Sequence, residues 1–173
     1  PSIAELVDSV TKLDKLHFES EEAAHAEYFR KVVLAMAKDI RVILIKLADR
    51  MHNMLTLGSM RPDKQRRIAL ETMEIYVPIA DKIGLHKVHL ELAEESFKYI
   101  YPYRYQVLSA AAEVAHQNRL PIIQGLMSNI DGALKSNGIK GEFKYRQRTI
   151  HNLYSRMLKR QQSFDRIYDI FEV

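Results

Sequence analysis

The stretch IRVILIKLADRMHNMLTLG, Ile40 to Gly58, decides the fold. From Ile40 to Ile45 it is apolar, broken only by Arg41, and after Lys46 it turns polar. Residues three and four apart share one face of a helix. Val42, Ile45, Asp49, Asn53 and Thr56 are spaced 3, 4, 4 and 3 apart, so the stretch predicts a helix with one stripe that begins apolar and ends polar. Asp49 stands at the changeover, flanked by Lys46 and His52. A half-buried carboxylate must be paired or neutralised, because an unpaired one is strongly destabilising. The candidate partners are a metal ion, an arginine or His52. Spacing leaves an ordinary salt bridge and a metal site both open. One carboxylate is not a metal site, since a hydrolytic centre needs about three protein ligands and an open position for water.

On either side of this stretch the pattern is helical. Ile3 to Leu16 and Ser20 to Ala37 read as amphipathic helices, the second carrying Ala24, Tyr28, Val32 and Ala35 at helical spacing behind a capping Ser20. Pro62 opens a helix with the stripe Ile68, Ile75, Tyr76, Ile79 and Ile83 and the stop signal Gly84; Pro78 within it predicts a kink, not a break. His86 to Tyr101 is a further helix closed by Pro102. Two more are expected between Tyr103 and Asn137, separated near Asn118 to Pro121 and ending at Gly138. Beyond Gly138 the texture changes: Phe143 and Tyr145 alternate, a helix runs from about Thr149 to Arg160, and IYDIFEV reads as a strand with nothing after it to pair with. The ending and the initial Pro1 suggest a piece of a longer protein.

Composition narrows the chemistry. With 47% hydrophobic and 28% charged residues the chain has the make-up of a soluble domain, and no apolar run approaches the ~20 residues of a membrane helix. The absence of cysteine removes disulfides and thiolate metal sites and fits a reducing compartment, with the cytoplasm as the default. Any metal must be held by His, Asp or Glu, which favours Mn²⁺ or Mg²⁺ over structural zinc. His86 and His89, at i and i+3 with Lys87 between them and no acid in a fitting place, read as a surface pair. The net charge is +4, and from Lys135 to Arg160 eight lysines and arginines face one acid, Glu142. Such a basic patch suits a polyanion such as a nucleotide or nucleic acid, and equally a solvated basic face.

The strings VDSVTKL (Val7 to Leu13), FRKVVLAMAKDIRVILIKLADRMHNMLTLGSMRPDKQRRIALETMEIYVPIADKIGL (Phe29 to Leu85) and ELAEESFKYIYP (Glu91 to Pro102) closely resemble the RelA/SpoT homologue family, whose long members make and degrade the alarmone (p)ppGpp. The resemblance implies a mainly α fold: residues 1–100 as the C-terminal part of an HD-type helical hydrolase domain, 101–138 as a helical connector, and 139–173 as the start of an α/β nucleotidyltransferase-like synthetase domain. In the family, Mn²⁺ is held by an upstream His, the His-Asp pair of an HDxxED motif and the Asp of a LADR motif. Asp49 stands in the LADR position, as metal ligand and catalytic residue, while the other three ligands are absent. By the same resemblance Asn53 and Thr56 contact the guanosine nucleotide. Lys46 and Arg50 are candidate phosphate neighbours, set against solvated charges or structural ion pairs. Leu55 departs from the family, which commonly has Arg there.

The tail YRQRTIHNLYSRMLKRQQSFDRIYDIFEV, from Tyr145, resembles the family's GRxKHxxSIYxKM motif, which serves pyrophosphate transfer from ATP with Mg²⁺. Arg146, Arg148 and Arg156 match its cationic positions and would cradle ATP phosphates. Tyr145 replaces the motif's Gly, Thr149 its His and Asn152 its Ser, which implies weak or lost synthesis; Gly there would permit close backbone approach.

Three functions follow as expectations. The first is a Mn²⁺-dependent 3′-pyrophosphohydrolase acting on ppGpp and pppGpp to leave GDP or GTP, with this fragment inactive alone. The second is a bifunctional or mainly synthetic enzyme. The third is a non-catalytic regulatory module binding nucleotide or protein. Any ribosome or regulatory-protein partner would be engaged by regions outside this chain.

Overall fold

The computed structural model describes residues 2–14, 30, 34, 39–141, 146–167 and 171–172. The helix expected from Ser20 to Ala37, and Phe143 with Tyr145, lie largely or wholly outside the described residues. The chain divides into two compact units, Pro1–Ile100 and Tyr101–Val173.

In the first unit, α1 (Ile3–Asp14) and α2 (Ile40–Leu55) pack together, and a 3₁₀ turn (Leu57–Ser59) leads into α3 (Pro62–Glu71). A π-turn (Thr72–Tyr76) and α4 (Val77–Lys82) follow, then α5 (His86–Ile100). Packed against α5 are α2, α3, the π-turn and α4. The core comes from Val42, Ile43, Leu47 and Met54 of α2, Ile75 and Tyr76 of the π-turn, and Leu92, Ala93 and Ile100 of α5. Burying each large apolar side chain contributes about 1.5–3 kcal/mol, and α5 is the element on which α2, α3, the π-turn and α4 all pack.

Local chemistry explains the boundaries. Asp39 caps α2 by accepting the Arg41 amide at 3.0 Å. Pro62 sits at the start of α3, where its missing N–H is not needed. α4 ends as the stop signal predicts: Gly84 takes φ 78°, Leu85 N–H donates to Ala80 O at 2.9 Å and Gly84 N–H to Asp81 O at 3.0 Å. Around Pro78 the helical path continues, but through the π-turn, in which Val77 N–H donates to Thr72 O. The widened turn lies immediately before Pro78, where a regular α-helix would drive the pyrrolidine ring into the Glu74 carbonyl.

In the second unit the two helices expected between Tyr103 and Asn137 are one, α6 (Pro102–Ser136), running through Pro121. The continuity of this helix has a simple physical basis. Proline removes one hydrogen bond from a helix, whereas two separate helices would leave a fresh set of orphan amides and carbonyls at each new end. Pro102 also opens α6 rather than merely closing the helix before it. Gly138, φ 68°, ends α6, with Ile139 N–H donating to Leu134 O at 3.0 Å.

Helix α7 (Ile150–Arg160) packs on α6, and Leu108, Ala112, Ile150, Leu153 and Ile167 are buried in this unit. Arg104 of α6 donates to the Tyr154 hydroxyl and lies 5.3 Å from the ring centroids of both Tyr101 and Tyr154. The ending does find a partner, but an earlier one: β1 (Arg146–Gln147) pairs antiparallel with β2 (Phe171–Glu172), Arg146 opposite Glu172 and Gln147 opposite Phe171. A strand at a chain end pairs backwards as readily as forwards, and the alternation of IYDIFEV alone does not give the direction.

Candidate active site

Helix α2 carries Lys46, Asp49, Arg50, Asn53 and, as its C-cap, Thr56. Ile43, Leu47 and Met54, on the side away from Asp49, are buried, and so is Val42, two turns before Asp49 on its own stripe. That packing turns Asp49 outward. The carboxylate is exposed, its Oδ2 accepts from Asn53 Nδ2 at 3.2 Å, and among the described residues it enters no salt bridge. The expected apolar-to-polar stripe is therefore more exposed than its pattern implies, since Ile45, one turn before Asp49, is 42% exposed.

The two cations flanking Asp49 face inward. Lys46 is buried, at 6% exposed. Arg50 is tied to structure: its Nη2 donates to Glu71 Oε1 at 2.6 Å, and its guanidinium sits 4.1 Å from the centroid of the buried Tyr76 ring. Burial works against its charge, but Tyr76 and Glu71 beside it outweigh that penalty and hold its pKa above the ordinary arginine value. The Thr56 hydroxyl donates to the carbonyls of His52 at 3.0 Å and Asn53 at 3.3 Å, finishing the helix while its oxygen can still accept. Leu55 is 65% exposed.

The geometry fits Asp49 as a contributor of one carboxylate ligand to a divalent cation. It does not supply a whole site, because among the described residues no three His, Asp or Glu side chains converge. His86 and His89 stack with centroids 6.2 Å apart, and His89 Nδ1 lies 3.2 Å from the Val77 carbonyl, which it binds as a donor.

In the second unit Arg146 is exposed on β1, Arg148 is half-buried just before α7, and Arg156 is half-buried on α7. Thr149, expected from the resemblance to take the motif's His position, is the N-cap of α7 and accepts the Asn152 amide at 3.2 Å. Asn152, in the motif's Ser position, thus supplies the amide that completes the cap. Tyr145 lies outside the described residues.

Residues 1–86 match the model of the HD domain family. Over 170 residues, 98% of this chain, the sequence is 49% identical to the bifunctional (p)ppGpp synthase/hydrolase SpoT of Escherichia coli K12, of which it covers 24%. It is 50% identical to the guanosine-3′,5′-bis(diphosphate) 3′-pyrophosphohydrolase of Vibrio cholerae serotype O1, again across 98% of this chain and 24% of that protein. The chain belongs to the RelA/SpoT homologue family. A more distant member, the GTP pyrophosphokinase rsh of Brucella melitensis biotype 1, is 42% identical across 99% of this chain and 23% of its own length. The chain thus spans about a quarter of the length of these curated relatives. As a RelA/SpoT homologue it has the mainly α, HD-type architecture expected, and its HD domain implies a divalent metal.

Glu71 and Tyr76 hold Arg50; the sequence pattern places Tyr76 only in the apolar stripe and does not single out Glu71. Pro78 was the available signal, since a proline inside a helix calls for local irregularity in the preceding turn. Among the described residues no helix is long and apolar enough to cross a membrane.

Proposed function

We propose that the protein containing this chain is a cytoplasmic, Mn²⁺-dependent (p)ppGpp 3′-pyrophosphohydrolase. Water is added across the P–O3′ bond of ppGpp or pppGpp; pyrophosphate leaves, and GDP or GTP remains. Asp49 carries this reading. It keeps the LADR position, is exposed on α2, is restrained by Asn53 and, among the described residues, lies in no salt bridge. The identity of close to 50% with proteins named as hydrolases supports it.

In this reading Asp49 supplies one ligand to the cation, and the remaining ligands come from sequence upstream. A bound divalent ion acidifies water and polarises a phosphoryl oxygen. Asn53 restrains the Asp49 carboxylate through one amide hydrogen and has a second to offer the guanosine nucleotide. Thr56 offers its hydroxyl oxygen one turn further on. Residues 1–100 form the end of the hydrolase domain, 101–138 the connector and 139–173 the start of a synthetase-like domain. Chelation of the full-length protein with EDTA is expected to abolish pyrophosphate release from ppGpp, and Mn²⁺ to restore it. Hydrolysis that persists without a metal would defeat the reading.

A second activity, (p)ppGpp synthesis from ATP and GDP or GTP with Mg²⁺, is favoured by the names of the Escherichia coli and Brucella relatives. The capping role of Thr149 counts against it, because the residue in the motif's His position is committed to structure. Arg146, Arg148 and Arg156 would bind ATP phosphates if that activity survives. Incubation with ATP and GDP is expected to yield little ppGpp; robust synthesis would establish this second reading.

A further inference from the structure

We infer that Arg50 is a positioning residue for the metal ligand beside it, acting through Glu71 and Tyr76 across the π-turn; this inference rests on the hydrolase reading. In a regular α-helix, at about 100° per residue, two residues five apart point about 140° away from each other. Glu71 and Tyr76 are five apart and both meet Arg50, the first at 2.6 Å through its carboxylate, the second with its ring centroid 4.1 Å from the guanidinium. The π-turn brings them together. Its hydrogen bond from Val77 N–H to Thr72 O closes over five residues, which brings residues i and i+5 onto one face.

The need for such a clamp follows from lever arms. Much of the packing of α2 comes from Val42, Ile43, Leu47 and Met54, and apolar packing is non-directional. A helix with side chains has a radius of roughly 5–6 Å, so a rotation of about 20° would carry the outward Asp49 carboxylate by about 2 Å. Metal–ligand distances tolerate only about 0.2 Å. A planar guanidinium held between a carboxylate and an aromatic face resists that rotation, and it sits on the residue next to Asp49. Thr72, the first residue of the π-turn, is fully buried; its hydroxyl donates to Ile68 O at 2.7 Å and packs 3.4 Å from Met54 Sδ of α2, a further contact between the two elements.

The test uses the full-length protein and compares wild type with Arg50→Lys, Glu71→Gln and the double variant. Mn²⁺ affinity is measured by electron paramagnetic resonance without nucleotide, and kcat and KM for ppGpp at saturating Mn²⁺. Each single variant is expected to bind Mn²⁺ roughly 10–100-fold more weakly, the range found when partners of metal ligands are removed, with KM for ppGpp unchanged. The double variant should be no worse than the poorer single one, because both changes break one unit. Glu71 is 40% exposed, so its isosteric replacement is expected to leave the circular dichroism spectrum unaltered. Unchanged Mn²⁺ affinity in Glu71→Gln overturns the inference. So does a raised KM in Arg50→Lys with normal Mn²⁺ binding, which would make Arg50 a substrate contact. A wild-type protein that neither binds Mn²⁺ nor hydrolyses ppGpp overturns the hydrolase reading as well.

Discussion

Asn53 Nδ2 donates to Asp49 Oδ2 at 3.2 Å, across one turn of α2. The bond restrains the carboxylate while leaving its other oxygen available, the arrangement expected of a ligand oriented by its neighbour. Asn53→Ala is therefore expected to weaken Mn²⁺ binding by about 10–100-fold in addition to raising KM for ppGpp. Titration of Mn²⁺ without nucleotide separates the two effects. A variant with a raised KM and intact Mn²⁺ affinity would reduce Asn53 to a substrate contact.

At the other end of α2, Asp39 accepts hydrogen bonds from the Arg41 side chain at 2.7–3.1 Å and from the Arg41 amide at 3.0 Å. The side-chain bonds first, then the amide, lower its pKa to about 2. A carboxyl group whose pKa falls on folding stabilises the fold above its unfolded value, near ~4. That contribution is lost as pH drops through about 2. A carbon-13 titration of the Asp39 carboxyl should give that midpoint, and Asp39→Asn should remove the pH dependence of the first turn of α2 in this window. A midpoint near ~4 would show that the Arg41 bonds do not persist in solution.

Thr149 caps α7 through the Asn152 amide at 3.2 Å. Restoring the synthetase motif's histidine by Thr149→His should cost roughly 0.5–2 kcal/mol of stability, the usual loss when a capping hydroxyl is removed. Thr149→Ser should be close to neutral. Chemical denaturation measures both. A stable Thr149→His variant that also gained ppGpp synthesis would show that the motif's chemistry outweighs the cap.

Much of the fold was legible because its signals are local. Pro62, Gly84 and Gly138 act through their own backbone restrictions, so each marked a boundary that the structure contains. The face shared by Asp49 and Asn53 was equally readable, since spacing of four within one helix fixes it. What was not legible depends on partners distant in sequence. The ion pair of Arg50 lies 21 residues away, on Glu71, and the pairing of Tyr76 with it depends on a π-turn that no α-helical periodicity describes. Pro121 misled because its local penalty was weighed without the alternative, the unsatisfied ends of two shorter helices. Lys46 is inside because α2 is packed on more than one side, which a one-stripe reading does not anticipate.

The central claim is that Asp49 holds the hydrolytic metal. Its most direct test is the Mn²⁺ dependence of pyrophosphate release from ppGpp by the full-length protein and by its Asp49→Ala variant, with circular dichroism to confirm that the variant folds. Because Asp49 is exposed and among the described residues bonds only to Asn53, the fold should survive its removal. Hydrolysis should fall by more than the roughly 100-fold that loss of a mere orienting partner produces, and added Mn²⁺ should not restore it fully. Hydrolysis in Asp49→Ala equal to wild type at every Mn²⁺ concentration would contradict the account.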